Sequence, residues 1–410
     1  MAPCSAGAYA GGITPPASRT YAAHFIIVFL FICLNLRLSF SAADPVLPIM
    51  MRDLGMHVRS SSLFALLPVM SLGIAAPLSA RLVSLLRPRA LISWALLLAI
   101  GGIVWRSYGG GLGLFGGTFA IGIGLGMAGS AILGVVKDLF PDHIPALMGA
   151  YTACVCLGTS LGSAAGDPML LMMGGWQSGL LFWVWPLALA LLLWVELSLR
   201  PHPLNLREQK LHASIAPLLR QKKAWWVSLF YLFRVAGAWT LIVWLATLMH
   251  GRGLSLEESG LVLGLATACE IPSALLSSHF SRWLGSRSRL MCVAIPLSIV
   301  SAFGLLVGPL PWWPLFSVLF GLCIGAIFSL GMTLIVDNSA DPAATIALSG
   351  MAQGFGFIFG GLLAWAASAV MNWRHPQLWM ACVYSLFALA GLFCGLRSDS
   401  PGKVSVLPPL

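Results

Sequence analysis

Hydrophobic residues along the 410-residue chain form long runs that short polar turns interrupt. A helix that crosses a bilayer needs about 20 predominantly apolar residues. Twelve runs are close to that length or exceed it, and we expect each of them to form a transmembrane helix. They lie at about 21–43, 60–80, 90–107, 112–136, 146–172, 177–198, 224–249, 259–281, 290–308, 314–336, 346–370 and 377–396.

The composition supports an integral membrane protein. Only 9% of the residues are charged and 59% are hydrophobic, whereas soluble domains carry roughly 25% charged residues. The net charge of +10 comes from short basic clusters between the apolar runs, so we expect no nucleic-acid partner. The nine cysteines contain no C-x-x-C motif, and we interpret them as core residues without a metal or cofactor.

The longest polar segment, 199–223, divides the predicted helices into two sets of six. We therefore predict an all-α membrane protein with an N-terminal half at 1–198, a linker at 199–223 and a C-terminal half at 224–410. With the N-terminus in the cytoplasm, sixteen of the 23 Lys and Arg residues fall in cytoplasmic segments and five in outer loops, Arg106 among the five. The positive-inside rule then places the linker and both termini in the cytoplasm.

The two halves also share an internal repeat. Residues 119–149 and 320–350, compared at a lag of 201, have nine identities where about three are expected by chance. Examples are Gly124 with Gly325 and Pro141 with Pro342. Parallel repeats of six helices around a central site are the architecture of the major facilitator fold.

Five local motifs are spread over nearly the whole chain: "LNLR" (Leu34–Arg37), "LPVMSLGIAAPLSARL" (Leu67–Leu82), "GIGLGMAGSAILGVVKDLFP" (Gly122–Pro141), "RGLSLEESG" (Arg252–Gly260) and "SGMAQGFGF" (Ser349–Phe357). In this order and spacing they resemble the cyanate and 2-nitroimidazole transporter branch of the major facilitator superfamily.

This resemblance implies a secondary transporter that moves a small solute by alternating access, and not an enzyme. A small anion such as cyanate or a related compound is the expected cargo. The expected location is a bacterial inner membrane, crossed many times by a monomer, with protons as a candidate coupling ion. The alternative is a proton-coupled efflux transporter for hydrophobic or cationic drug-like compounds.

Arg37 carries a charge inside the first predicted helix, where insertion costs about 2.5–3.5 kcal/mol. One interpretation is a fixed positive charge that binds an anionic substrate; the other is a side chain that snorkels to the interface or makes a structural hydrogen bond. Asn35 is a second candidate for substrate binding. Two residues turn a helix by about 200°, so Asn35 and Arg37 cannot face the same way.

Arg234 and Glu270 are charged residues that lie near the midplane of the seventh and eighth predicted helices. We expect them to be partners, either as an inert ion pair or as a pair that couples or gates transport. Gln353, in the eleventh predicted helix, is a third candidate for substrate binding or for a bond between helices. The glycine-rich stretch Gly116–Gly129 does not follow a strand, so we attribute it to close helix packing rather than to a dinucleotide site.

Overall fold

The computed structural model describes residues 16–43, 45–55, 58–200 and 213–406. In this part of the chain, fourteen α-helices account for nearly all regular structure. The N-terminal half contains α1 (Pro16–Ser41), α2 (Leu47–Asp53), α3 (Val58–Leu82), α4 (Pro88–Tyr108), α5 (Gly110–Leu139), α6 (Ile144–Met173), α7 (Trp176–Leu181) and α8 (Val184–Leu199). The C-terminal half contains α9 (Lys222–His250), α10 (Leu256–Trp283), α11 (Arg287–Leu306), α12 (Trp313–Asp337), α13 (Pro342–Ala367) and α14 (Pro376–Ser398).

These helices confirm the predicted all-α membrane fold. Within the described residues, eleven helical segments are long and apolar enough to cross a membrane. The second predicted span corresponds to α3, which is apolar over Leu67–Leu82. The exact domain boundaries stay a prediction, since most of the linker, 201–212, lies outside the described residues.

The sixth predicted span is divided into α7 and α8, which the hydrophobic pattern does not reveal. Pro186 lacks an amide hydrogen, and its ring would clash with the carbonyl group of Phe182 in a continuous helix. Phe182 O instead accepts a hydrogen bond of 3.1 Å from the amide of Trp185. Pro186, the third residue of α8, therefore breaks the helix one turn earlier, at Phe182 and Trp183.

The short helix α2 is also unpredicted, because it lies in the loop between the first two spans. Its last residue, Asp53, accepts a hydrogen bond of 2.9 Å from the Trp176 indole at the start of α7. Met50 of the same helix is fully buried against an apolar cluster that contains Trp176. Packing against α7 thus gives this short segment a helical conformation that its length alone would not support.

One end of the bundle carries the described ends of the linker and the last described residues of the chain, and we call it the linker face. Arg89, at the start of α4, donates a hydrogen bond of 3.1 Å to the carbonyl of Ser198 near the end of α8. Gln221, just before α9, donates one of 2.7 Å to the carbonyl of Ser405 beyond α14. Lys137, near the end of α5, lies within electrostatic range of Lys403 beyond α14. The end of α5 is therefore on the same face of the bundle as the residues that follow α14.

The two halves pack directly on each other through α3 against α13 and α6 against α10. At Gly149 of α6, an added Cβ would lie 2.6 Å from the carbonyl oxygen of Ala274 in α10. At Gly350 of α13, it would lie 2.9 Å from the carbonyl oxygen of Ala76 in α3. Glycine lets the helices approach this closely, as is common where helices associate in membranes. Both approaches lie in the part of the bundle nearer the linker face.

Candidate functional site

Arg37 extends from α1 toward the C-terminal half. Its guanidinium carbon lies 5.9 Å from the centre of the Trp239 ring in α9. A cation within about 6 Å of an indole face is attracted by the negative potential of the ring. The side chain is partly exposed, so Arg37 links the two halves without being enclosed by them.

Asn35 lies on a different side of α1. It is buried, and its side-chain nitrogen donates a hydrogen bond of 2.8 Å to the carbonyl of Phe31, one turn earlier. Its amide group is thus engaged with its own helix, while Arg37 contacts the other half. The structure does not bring the two predicted binding residues onto one surface.

Arg234 is held between two aromatic rings of the C-terminal half. Its guanidinium carbon is 4.3 Å from the centre of Phe328 in α12 and 4.5 Å from the centre of Tyr231, three residues earlier in α9. Such stacking uses the flat face of the guanidinium group and leaves its edge for hydrogen bonds. The edge is the part that binds carboxylates and other small anions.

Glu270 lies in α10, on the side of this helix that packs against the N-terminal half. The residue is 9% exposed, and its Oε2 accepts a hydrogen bond of 3.4 Å from the thiol of Cys156 in α6. Arg234 acts on this carboxylate electrostatically. The described residues contain no ion pair within 4.0 Å between the two groups, so the direct contact that we expected from the sequence is replaced by an interaction through space. The guanidinium of Arg234 is held between the rings of Tyr231 and Phe328, and the Glu270 carboxylate accepts from Cys156 instead.

The two arginines converge on a common region at the centre of the bundle. Tyr151 and Cys156 in α6 and Tyr231 in α9 are each within electrostatic range of both Arg37 and Arg234. Arg37 comes from one half and Arg234 from the other. Together with Glu270, they place two positive groups and one carboxylic acid at the interface between the halves.

Gln353 belongs to a different contact. It is buried in α13, and its side-chain nitrogen donates a hydrogen bond of 2.6 Å to the hydroxyl of Ser349 on the same helix. The neighbouring Gly354 packs against Pro77 of α3. The structure thus places Gln353 at the crossing of α3 and α13, with its nitrogen already engaged.

Sequence reasoning missed five side chains of the central region: Tyr151, Cys156, Tyr231, Trp239 and Phe328. Tyr231 had a usable signal, because residues three apart share one side of a helix and Arg234 follows it at that spacing. The other four had none, since they meet their partners from other helices.

Arg106 corrects an expectation. We placed it in an outer loop, but it is fully buried in α4 and donates a hydrogen bond of 3.1 Å to the carbonyl of Ser39 in α1. Arg106 lies inside the predicted run 90–107, and α4 packs there on Gly117 of α5, which encloses the charge together with the hydrogen bond to α1. Among the described residues, no group of three or more His, Cys, Asp or Glu side chains is arranged to hold a metal ion.

Two packed sets of membrane-spanning helices with charged side chains at their shared centre define a multi-pass membrane protein of the transporter class. A sequence model of the Major Facilitator Superfamily matches residues 28–361, and the chain belongs to that superfamily. The resemblance seen in the sequence motifs is thereby confirmed.

Two relatives from Escherichia coli (strain K12) are similar over nearly the full length. The 2-nitroimidazole transporter is 29% identical over 374 residues, which cover 89% of this chain and 94% of that protein. The cyanate transport protein CynX is 27% identical over 381 residues, which cover 91% of this chain and 97% of that protein. The relatives are thus transporters that match this chain almost from end to end.

Solved structures of the superfamily share the fold. The transporter FucP in its outward conformation superposes with a TM-score of 0.72 at 16% identity, over 93% of this chain and all of FucP. The human organic anion transporter MFSD10 gives a TM-score of 0.72 at 19% identity over the same shares. At these identities the likeness establishes the architecture alone.

Proposed function

We propose that the protein is a secondary transporter of a small anion, such as cyanate or a related compound, and not an enzyme. The observation that carries the proposal is the pair of guanidinium groups, Arg37 and Arg234, that approach one region from opposite halves. With one carboxylic acid, Glu270, in the same region, positive charge exceeds negative charge. A site of this kind favours a monovalent anion.

The position of the charges at the interface between the halves fits alternating access. Arg37 reaches from the N-terminal half to Trp239, and Cys156 donates from the N-terminal half to Glu270. An anion that bridges Arg37 and Arg234 contacts both halves at once, so its binding free energy depends on how the halves are oriented. A ligand shifts a conformational equilibrium only through such differential contacts.

The same proposal covers the setting and the driving force. The protein lies in a bacterial inner membrane as a monomer, with both termini in the cytoplasm, as the distribution of basic residues indicates. Protons serve as the coupling ion, and Glu270 is the group in the central region that can exchange one. The bacterial relatives that carry 2-nitroimidazole and cyanate support a solute of this size.

The second candidate function is proton-coupled efflux of hydrophobic or cationic compounds. It is favoured by one observation, the buried carboxylic acid Glu270 at the interface between the halves. Against it, the aromatic rings that would bind an organic cation already face Arg37 and Arg234. A cationic substrate would have to displace both guanidinium groups, so the anion is the better match.

The test is flux into proteoliposomes of the purified protein. Cyanate, other small monovalent anions, 2-nitroimidazole and a lipophilic cation are offered in turn, with and without a pH gradient. We expect saturable flux of at least one small anion that competes with cyanate and responds to the gradient. Flux of the lipophilic cation that is lost in Glu270→Gln but kept in Arg37→Gln would establish the efflux function instead.

A further inference from the structure

The last described residues of the chain form an ordered segment against the linker face. The amide of Val404 donates a hydrogen bond of 2.7 Å to the carbonyl of Asn338, and the amide of Ala340 donates one of 2.9 Å to the carbonyl of Val404. This is a short parallel pairing with the loop between α12 and α13. Val404 is 1% exposed and Val406 is also buried, so the segment is packed as well as hydrogen-bonded.

The end of the linker binds the same segment from a second direction. Gln221 donates from its side-chain nitrogen to the carbonyl of Ser405 at 2.7 Å, and its side-chain oxygen accepts from the amide of Ser405 at 3.4 Å. Lys223 donates to the carbonyls of Ser400 and Gly402. Side chains at the start of α9 thus hydrogen-bond to the backbone of residues 400–406, which we call the tail. These bonds require the tail to have a defined conformation.

A charged cluster fixes the point from which the tail starts. Arg287, at the start of α11, forms ion pairs with Asp337 at the end of α12 and with Asp399 just after α14. Ser288 donates a hydrogen bond of 2.5 Å to the Asp399 carboxylate. Three helix ends of the C-terminal half are therefore joined directly beside the tail.

The N-terminal half meets this assembly at the end of α5. An added Cβ at Gly134 would lie 2.6 Å from the side chain of Ile346 in α13, so the two helices are in close contact. The buried Lys137, one turn later, is within electrostatic range of Lys403 in the tail and of Asp337 and Asp341. Val404 and Val406 also belong to the apolar core that includes residues of both halves.

We propose that residues Pro401–Val406 act as a latch that holds the linker face closed. The latch keeps the loop between α12 and α13 and the start of α13 in the position in which α5 packs on them. When the linker face opens, α5 must move away from α13, and the latch must be released or carried with one half. The proposal rests on the alternating access of the proposed function, but not on the identity of the substrate.

The test is hydrogen–deuterium exchange of the full-length protein and two truncations, without any substrate. One truncation ends after Ser400 and removes the latch; the matched control ends after Val406 and keeps it. We expect the first truncation to speed exchange about tenfold at the linker-face end of α5, residues 134–139, which is the scale of losing two backbone hydrogen bonds. The control should exchange like the full-length protein.

The end of α5 is the decisive segment because the hydrogen bonds of Val404 and Ser405 described above go to Asn338, Ala340 and Gln221, which lie outside α5. Faster exchange confined to Asn338–Ala340 would show that the tail only covers a loop, and the proposal would be wrong. It would also be wrong if both truncations behaved alike. Because no substrate is present, these results do not depend on which solute the protein carries.

A point variant keeps the test informative if the shorter truncation does not fold. Gln221→Ala removes the two hydrogen bonds to Ser405 and leaves the tail in the chain. We expect it to raise exchange at 134–139 by a smaller factor in the same direction. Thr267→Ala is its matched control, because the Thr267 hydroxyl donates to carbonyls of its own helix, such as that of Leu263 in α10. No change in Gln221→Ala at that segment would contradict the latch.

Discussion

At the scale of single residues, the arginines of the central region differ in what holds them. Arg37 contacts a ring of the other half, whereas Arg234 is held by two rings of its own half. Movement of the halves must therefore change the surroundings of Arg37 more than those of Arg234. We infer that Arg37 responds to the conformational change and that Arg234 is a fixed part of the C-terminal half.

Replacement of Arg37 tests its role as an anion-binding group. Arg37→Gln should abolish flux of the anion, because an amide cannot replace a fixed positive charge, while the protein still folds and inserts. Arg37→Lys should recover only part of the flux, since an ammonium group lacks the planar fork of a guanidinium. Arg52→Gln, an exposed change in α2, is the charge-matched control. The measurement is initial flux into proteoliposomes at equal protein content; normal flux in Arg37→Gln would mean that the arginine is structural.

Arg234 and Glu270 are suited to a double-mutant cycle. Without a direct ion pair, we expect Arg234→Ala and Glu270→Ala to be coupled by about 1 kcal/mol in the free energy of unfolding. A direct buried pair would give about 3–5 kcal/mol on removal of one partner. Unfolding of the purified protein in denaturant measures this coupling, and purely additive effects would mean that the groups do not interact.

Transport by two further variants tests whether Glu270 carries the coupling proton or only supports the structure. If Glu270 carries the proton, Glu270→Gln should still move the anion but no longer respond to a pH gradient. Cys156→Ala removes only the thiol that donates to Glu270, so it should keep the response. A normal response to the gradient in Glu270→Gln would assign the coupling to another group.

At the scale of helices, the contacts between the halves depend on residues without side chains. Gly149→Val should lower stability by about 1–3 kcal/mol, because the new side chain overlaps the backbone of α10 at Ala274. It should also reduce flux, since the overlap opposes closure of the linker face. Gly264→Val is the control, because a Cβ at that position in α10 meets no atom within 4 Å. Thermal unfolding and flux are measured for both, and equal effects would show that helix propensity, rather than the contact, is responsible.

Helix boundaries show where a hydrophobic pattern is sufficient and where it is not. The twelve predicted spans overlap helices of the structure, because the length of an apolar run is a local property. The break between α7 and α8 comes from a single proline, and α2 from packing on Trp176. The burial of Arg106 likewise comes from the neighbouring helix α5 and a hydrogen bond to α1. A run of hydrophobic residues contains none of this information.

At the scale of the whole molecule, the orientation in the membrane is a prediction from the basic residues. A reporter tag in the 199–223 linker should lie in the cytoplasm, and one between Gly253 and Leu254, in the loop before α10, in the periplasm. This second position leaves Arg252, which donates to carbonyls at the end of α11, in place. Protease or label accessibility from each side of the membrane is the measurement. Both tags on one side would contradict the arrangement of twelve spans.

The sequence alone determined the class, the number of spans, the superfamily and the presence of charges in the membrane. These properties depend on composition, run length and short motifs, and the cost of burying a charge in lipid marks Arg37, Arg234 and Glu270 without any structure. The tertiary structure decided which side chains those charges meet and placed the C-terminal tail beside α5. Contacts such as Arg37 with Trp239 and Cys156 with Glu270 join helices that are distant in the sequence, and their geometry depends on how the helices cross. That geometry is a property of packing in three dimensions, which no local pattern in the chain contains.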